Sequence, residues 1–224
     1  MEYVIAIKKT KMENQTNKWL KTFQAALPYL ALVAPAVWFI GALIWTAGIG
    51  RLPGELYWVS PYEGFIMTLG SPFFVATFIF LGQLVSNRFP KTGILVTVLG
   101  ILGVATLAIT AGFRLIVSVN VEYGIDPNTI SKAYNADSIW YLPFFVLQLS
   151  GFLSFIISGI ALLRVNLAPK WAAVLLILSI PALVTGQFRY HTEIFWPLAT
   201  GFWLLGIGGL VNFVKKNSTN PRSS

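Results

Sequence analysis

The chain has 224 residues, of which 56% are hydrophobic and only 11% charged, with a net charge of +8; a soluble domain carries about 25% charged residues. With a mean hydropathy of +0.71, this excludes an ordinary soluble domain and predicts an all-α integral membrane protein. The absence of cysteine excludes disulfides, iron–sulfur clusters and thiolate zinc sites; with His191 the single histidine, no metal and no cofactor are expected.

Residues 1–22 form a basic segment carrying Lys8, Lys9, Lys11, Lys18 and Lys21. It has no apolar stretch followed by a small-residue cleavage site, so it does not read as a secretory signal. Met12 is an alternative start, and Trp19, Leu20 and Phe23 read as an interfacial lead-in. Six runs free of Asp, Glu, Lys and Arg follow, at 25–49, 64–86, 93–113, 138–163, 171–188 and 194–214. A span needs about 20 apolar residues, and continuous rather than alternating apolarity in lipid means helices. The runs therefore predict a six-helix transmembrane domain over 23–216, with a disordered tail over 217–224. In the longest connection, 115–137, Asp126-Pro127 predicts the cap and first position of a short helix over 127–135.

The charges between the runs alternate. The N-terminal lysines, Arg88 and Lys91, Arg164 and Lys170, and Lys215, Lys216 and Arg222 fall on one side of a six-span arrangement. Arg51, Arg114, Lys132 and Arg189 fall on the other, with the acids Glu55, Glu63, Glu122, Asp126, Asp137 and Glu193. The positive-inside rule places both termini in the cytoplasm. The net positive charge is then a topology signal and an attraction to anionic membrane lipids, not a nucleic-acid interface.

The odd runs end alike, at Thr46-Ala47-Gly48-Ile49-Gly50-Arg51, Thr110-Ala111-Gly112-Phe113-Arg114 and Thr185-Gly186-Gln187-Phe188-Arg189. The even runs begin with an acid, then aromatics, then proline: Glu63 to Pro72, Asp137 to Pro143, Glu193 to Pro197. Pro-Phe-Phe-Val recurs at 72–75 and 143–146, and Pro-Lys at 90–91 and 169–170. The pattern reads as tandem helical hairpins repeated in parallel. It would set Arg51, Arg114 and Arg189 with Glu63, Asp137 and Glu193 at one depth near the outer surface. They read either as exposed ion pairs tying helix ends, each contributing about 0–1 kcal/mol, or as a ring that binds an anionic or zwitterionic group.

Other features have packing readings beside functional ones. Ser150, Ser154 and Ser158, with Gly151 and Ala161, form a small-residue stripe for close helix approach; Ala108 to Gly112 and Ala182 to Gly186 read the same way. Gly201, Gly206, Gly208 and Gly209 leave the last helix thin on one side, for close packing or a partner helix. Trp38 and Trp203 lie near mid-bilayer, away from the usual interfacial belt. Each indole N–H needs a partner when buried, and each ring is a candidate pocket wall beside a proline kink. Pro35 and Pro181 free the carbonyls of Ala31 and Ile177. His191, in the turn Arg189-Tyr190-His191-Thr192-Glu193, is a candidate base or pH sensor. The runs hold no charged residue, which disfavours a proton pathway, and neither a Gly-x-Ser-x-Gly elbow nor a phosphate-binding Gly-rich loop is present.

Residues 81–116 and 150–210 resemble an uncharacterised family of small six-span bacterial membrane proteins. The carriers are Gly112-Phe113-Arg114, Leu162-Leu163-Arg164 followed by Pro169-Lys170-Trp171, Glu193 and Trp203. Arg51 and the Pro-Phe-Phe-Val elements lie outside the pattern. The resemblance implies a six-helix fold in a bacterial inner membrane and no particular activity. Three functional readings remain. The leading one is a non-enzymatic protein that binds or passes a small or lipid-like ligand at its outer face, through the arginines and acids above with His191, Trp38 and Trp203. The second is an interaction subunit or homo-oligomer presenting a bare Gly-rich face to a partner membrane protein. The third is an enzyme acting on lipid head groups, with acids and His191 converging on one point.

Overall fold

In hydrocarbon every backbone polar group must be satisfied by the protein itself, and helices do so within one segment. The computed structural model describes residues 2–52, 59–126, 128–130, 141–165, 168–188 and 194–219, and these contain helices and no strand. In chain order they are α1 Glu2–Thr46, α2 Pro61–Gly70, a 3₁₀ turn Ser71–Phe73, α3 Phe74–Ser86, α4 Pro90–Glu122, α5 Tyr141–Val165, α6 Lys170–Phe188 and α7 Phe195–Thr219. Five segments are long and apolar enough to cross a membrane: Lys18–Thr46, Pro61–Ser86, Pro90–Glu122, Val146–Arg164 and Phe195–Ser218. The fifth apolar run of the sequence gives a shorter stretch, Lys170–Thr185. The chain is an all-α integral membrane protein.

Several boundaries differ from expectation, each for a local reason. Residues 2–22 begin α1 rather than forming a separate segment. The second span starts at Pro61, where Ser60 caps the helix by accepting from the Glu63 N–H and proline occupies the first turn. α4 does not stop near Arg114 but continues to Glu122, carried by Phe113, Val117 and Val121 at four-residue spacing. Val117 and Val59 are buried there, with Leu52, Phe113, Val121 and Ile130 packed around them. Asp126 caps the turn at 128–130 as expected, accepting from Asn128 N and Thr129 Oγ1; the remainder of the helix expected over 127–135 lies outside the described residues. α7 runs on through Thr219, so residues 217–219 of the expected tail are helical; 220–224 lie outside the described residues.

Successive helices are neighbours, and α7 returns to α1, closing a ring. Small residues set its tightest crossings. A Cβ on Gly103 would fall against the Gly151 backbone, so α4 and α5 meet backbone to backbone. Ser154, between Ser150 and Ser158 on the same stripe, donates its hydroxyl to the Val96 carbonyl across this seam at 2.8 Å. Gly206 and Gly209 receive Leu176, Ala172 and Trp171 of α6, while Gly201 and Gly208 face Phe39 and Leu32 of α1. The glycine-rich side of α7 is thus covered within the chain. The centre of the ring is aromatic: Trp38, Phe74, Phe78, Phe155 and Trp203 are buried and in edge, tilted or stacked contact.

The carbonyl that Pro35 frees at Ala31 is not left open. Thr77 of α3, fully buried, donates its hydroxyl to it at 2.8 Å. Thr77→Val is expected to destabilise the protein by about 1 kcal/mol. In a Pro35→Ala background the restored N–H satisfies the same carbonyl, and the cost of Thr77→Val should largely vanish. A double-mutant unfolding cycle in detergent measures this; equal costs in both backgrounds would show that the bond does not serve the proline gap.

Candidate functional site

The charged end of the bundle is built by the close of α1, the start of α2, α4 around Arg114 and the start of α7. Glycines allow the chain to turn after α1: Gly48 and Gly50 adopt φ of 75° and 67°, a region glycine enters without a Cβ penalty. Ser60 then ties back to α1's end by donating to the Ile49 carbonyl at 2.9 Å. This sets Glu63 in the first turn of α2, facing α4. Gly64 makes the approach close, since a Cβ there would press on the Arg114 side chain and the Ala111 carbonyl.

Glu63 is fully buried, and Arg114 Nε lies 3.0 Å from its Oε2, with the arginine side chain 15% exposed. The contact is charge to charge rather than a directed hydrogen bond, as neither Oε2 nor Nε has a hydrogen-bonding partner among the described residues. The other carboxylate oxygen, Oε1, accepts the Trp196 indole N–H at 3.0 Å. The Arg114 guanidinium carbon lies 6.0 Å from the Trp196 ring centroid, the outer reach of a cation–π contact. Trp196 also touches Trp38, their ring centroids 6.0 Å apart. One indole therefore joins the ion pair to the aromatic centre of the bundle.

Arg51 has a different job. Its Nε donates to the Trp45 carbonyl at 2.7 Å and its Nη2 to the Thr46 carbonyl at 3.3 Å. Its guanidinium lies 4.5 Å from the Trp45 ring centroid. It thus serves the last carbonyls of α1, where a cation also favours the helix dipole, and its charge additionally attracts Glu63.

The structure brings together Arg51, Glu63 and Arg114 of the expected ring. Trp38 and Trp203 lie deeper, fully buried and in contact at 6.1 Å. Their N–H groups are satisfied internally, Trp38 by the Met67 carbonyl at 3.1 Å and Trp203 by Ser179 Oγ at 2.8 Å. Arg189, His191, Glu193 and Asp137 lie outside the described residues. The residue that sequence reasoning passes over is Trp196, which reads as an ordinary belt tryptophan; nothing local marks it as the carboxylate's donor. Ser60-Pro61-Tyr62-Glu63 does carry a signal, the Ser-x-x-Glu start of a capped helix, which places Glu63 inside the span rather than before it. No family model, curated protein or solved structure matches this chain.

A buried ion pair that loses one member leaves the other charge unpaired, at a cost of about 3–5 kcal/mol, whereas apolar replacement of both is far milder. Arg114→Leu is therefore expected to destabilise by that order, and Glu63→Leu/Arg114→Leu to recover most of it. Unfolding midpoints in one detergent check this. A double variant no more stable than Arg114→Leu would mean that the two side chains do not act as a pair.

Proposed function

We propose that this is a six-span, non-enzymatic protein of a bacterial cytoplasmic membrane that binds a small or lipid-like ligand through an anionic or zwitterionic group at its outer face. The ligand contact is Arg114, and Glu63 is the group that fixes it. Both termini are cytoplasmic. The length of α6, 19 residues, gives about 28 Å of helix, close to the roughly 30 Å of the hydrocarbon layer, which supports counting it as the sixth span. The sides are supported by the charge distribution: Lys18, Lys21, Arg88, Lys91, Arg164, Lys170, Lys215 and Lys216 are all exposed at one end, and Glu63, Glu122 and Asp126 are at the other.

The observation that carries the ligand reading is the unequal burial of the ion pair. Glu63 is sealed from solvent, while Arg114 retains an exposed edge. A guanidinium has five N–H donors, and among the described residues its contacts are the Glu63 carboxylate and the Trp196 ring. The carboxylate holds the guanidinium by charge with the indole beside it, and the fork of N–H donors suits a carboxylate or phosphate. Arg189, His191, Glu193 and Asp137 are proposed to complete this face, with the connection that follows α4 over it. Trp38 and Trp203 form its floor through Trp196.

Native mass spectrometry of the detergent-purified protein tests this. Wild type and Glu122→Gln, a substitution at an exposed acid of the same end, are expected to retain one co-purifying ligand that Glu63→Leu/Arg114→Leu has lost. Arg114→Lys, which keeps the charge without the fork, should retain it more weakly. If the folded double variant keeps the ligand, or wild type carries none at this stoichiometry, the binding reading is wrong and the pair is a helix tie only.

A further inference from the structure

The opposite end of the molecule poses a separate question. Arg88 lies in the turn between α3 and α4 and Lys91 at the start of α4, while Arg164 lies at the end of α5 and Lys170 at the start of α6, all four exposed. The two turn sequences share Pro-Lys with an arginine upstream. The Gly103–Gly151 crossing and the Ser154–Val96 bond lock α4 against α5, so the start of α4, with Lys91, and the end of α5, with Arg164, lie on the same side of that seam. From the Val96–Ser154 level, Lys91 lies about 7.5 Å and Arg164 about 15 Å toward this end, at 1.5 Å per residue. No ion pair joins any of these four bases to another described residue.

Directly beside these bases the helices turn apolar and outward. Ile94, Leu95 and Val98 of α4 are 64%, 46% and 50% exposed. Trp171, 54% exposed, lies next to Lys170, with its ring over Gly209 of α7. Exposed cations with an aliphatic wall running away from them along α4, and an amphipathic indole beside Lys170, match one kind of molecule: a charged phosphate head group carrying acyl chains. An acidic peptide would use the bases and leave the wall bare.

We propose that the paired α3–α4 and α5–α6 turns form a binding site for anionic phospholipid, its phosphate held by Arg88, Lys91, Arg164 and Lys170 and its chains lying along α4. This is independent of the Arg114 site, which lies at the other end.

The experiment is native mass spectrometry of the delipidated full-length protein titrated with phosphatidylglycerol, with phosphatidylcholine of the same chains, and with water-soluble glycerol phosphate. Wild type should prefer phosphatidylglycerol over phosphatidylcholine, and raised salt should erode the preference. Affinity should fall about fivefold for each base removed, so Lys91→Gln/Lys170→Gln binds phosphatidylglycerol about 25-fold more weakly, while its phosphatidylcholine binding is unchanged. Glycerol phosphate should not compete at equal concentration, because it lacks the chains. Equal binding of the two lipids by wild type, a salt-independent preference, or an undiminished preference in the double variant would overturn the proposal. Equal competition by glycerol phosphate would overturn the lipid assignment in favour of a soluble phosphate. The wild-type lipid comparison and salt series decide the matter even if the variant does not fold.

Discussion

A carboxyl group cut off from water inside a membrane protein either takes a proton or meets a cation, and Glu63 meets Arg114. Much of the charged end depends on that requirement. Glu63 can lie buried because Ser60 and Pro61 start α2 early enough to carry it below the surface. Arg114 can reach it because Gly64 lets α2 press against α4. α4 continues beyond Arg114, and its extra turns pack around Val59 and Val117. Trp196 supplies the hydrogen bond that the second carboxylate oxygen needs.

The same rule, that a polar group out of water finds a partner, organises the uncharged interior. Thr77 answers the carbonyl that Pro35 exposes, Ser154 reaches the Val96 carbonyl, and the Trp38 and Trp203 N–H groups find Met67 and Ser179. These bonds link helices that hydrophobicity alone would not hold together, because lipid is as apolar as the core. The aromatic centre fills the space they enclose. The two ends differ in kind: one holds the covered Glu63–Arg114 pair, and the other presents Arg88, Lys91, Arg164 and Lys170 beside an open aliphatic wall.

Much of this is legible in the sequence, and the limits have physical causes. Charge-free runs locate the apolar helices, because charges are expelled from hydrocarbon. The serine stripe and the glycines of α7 announce close packing, and Pro35 announces an open carbonyl at Ala31. The partner of that carbonyl is not legible, since Thr77 lies 46 residues away and pairing across a bundle leaves no local trace. The same holds for Trp196 and Glu63, separated by 133 residues. The end of α4 is not legible either, because Arg114 reads as a boundary; a charge with a buried partner does not stop a helix. The odd runs do share one detail of the repeat, since Thr46, Thr110 and Thr185 each bond the carbonyl four residues back at 2.8 Å. Beyond the threonines the helices diverge: α1 stops at Thr46, and α4 runs past Arg114.

The central claim is that Glu63 fixes the Arg114 guanidinium. Nitrogen-15 NMR of the arginine side chains reads this directly, and only six arginines need be resolved. One Nε–H signal should be displaced from the free-arginine position and protected from exchange with water. It should vanish in Arg114→Lys and move back toward the free position, with faster exchange, in Glu63→Gln. An Arg114 signal that exchanges like a solvent-exposed arginine, or that is unchanged by Glu63→Gln, would contradict the account.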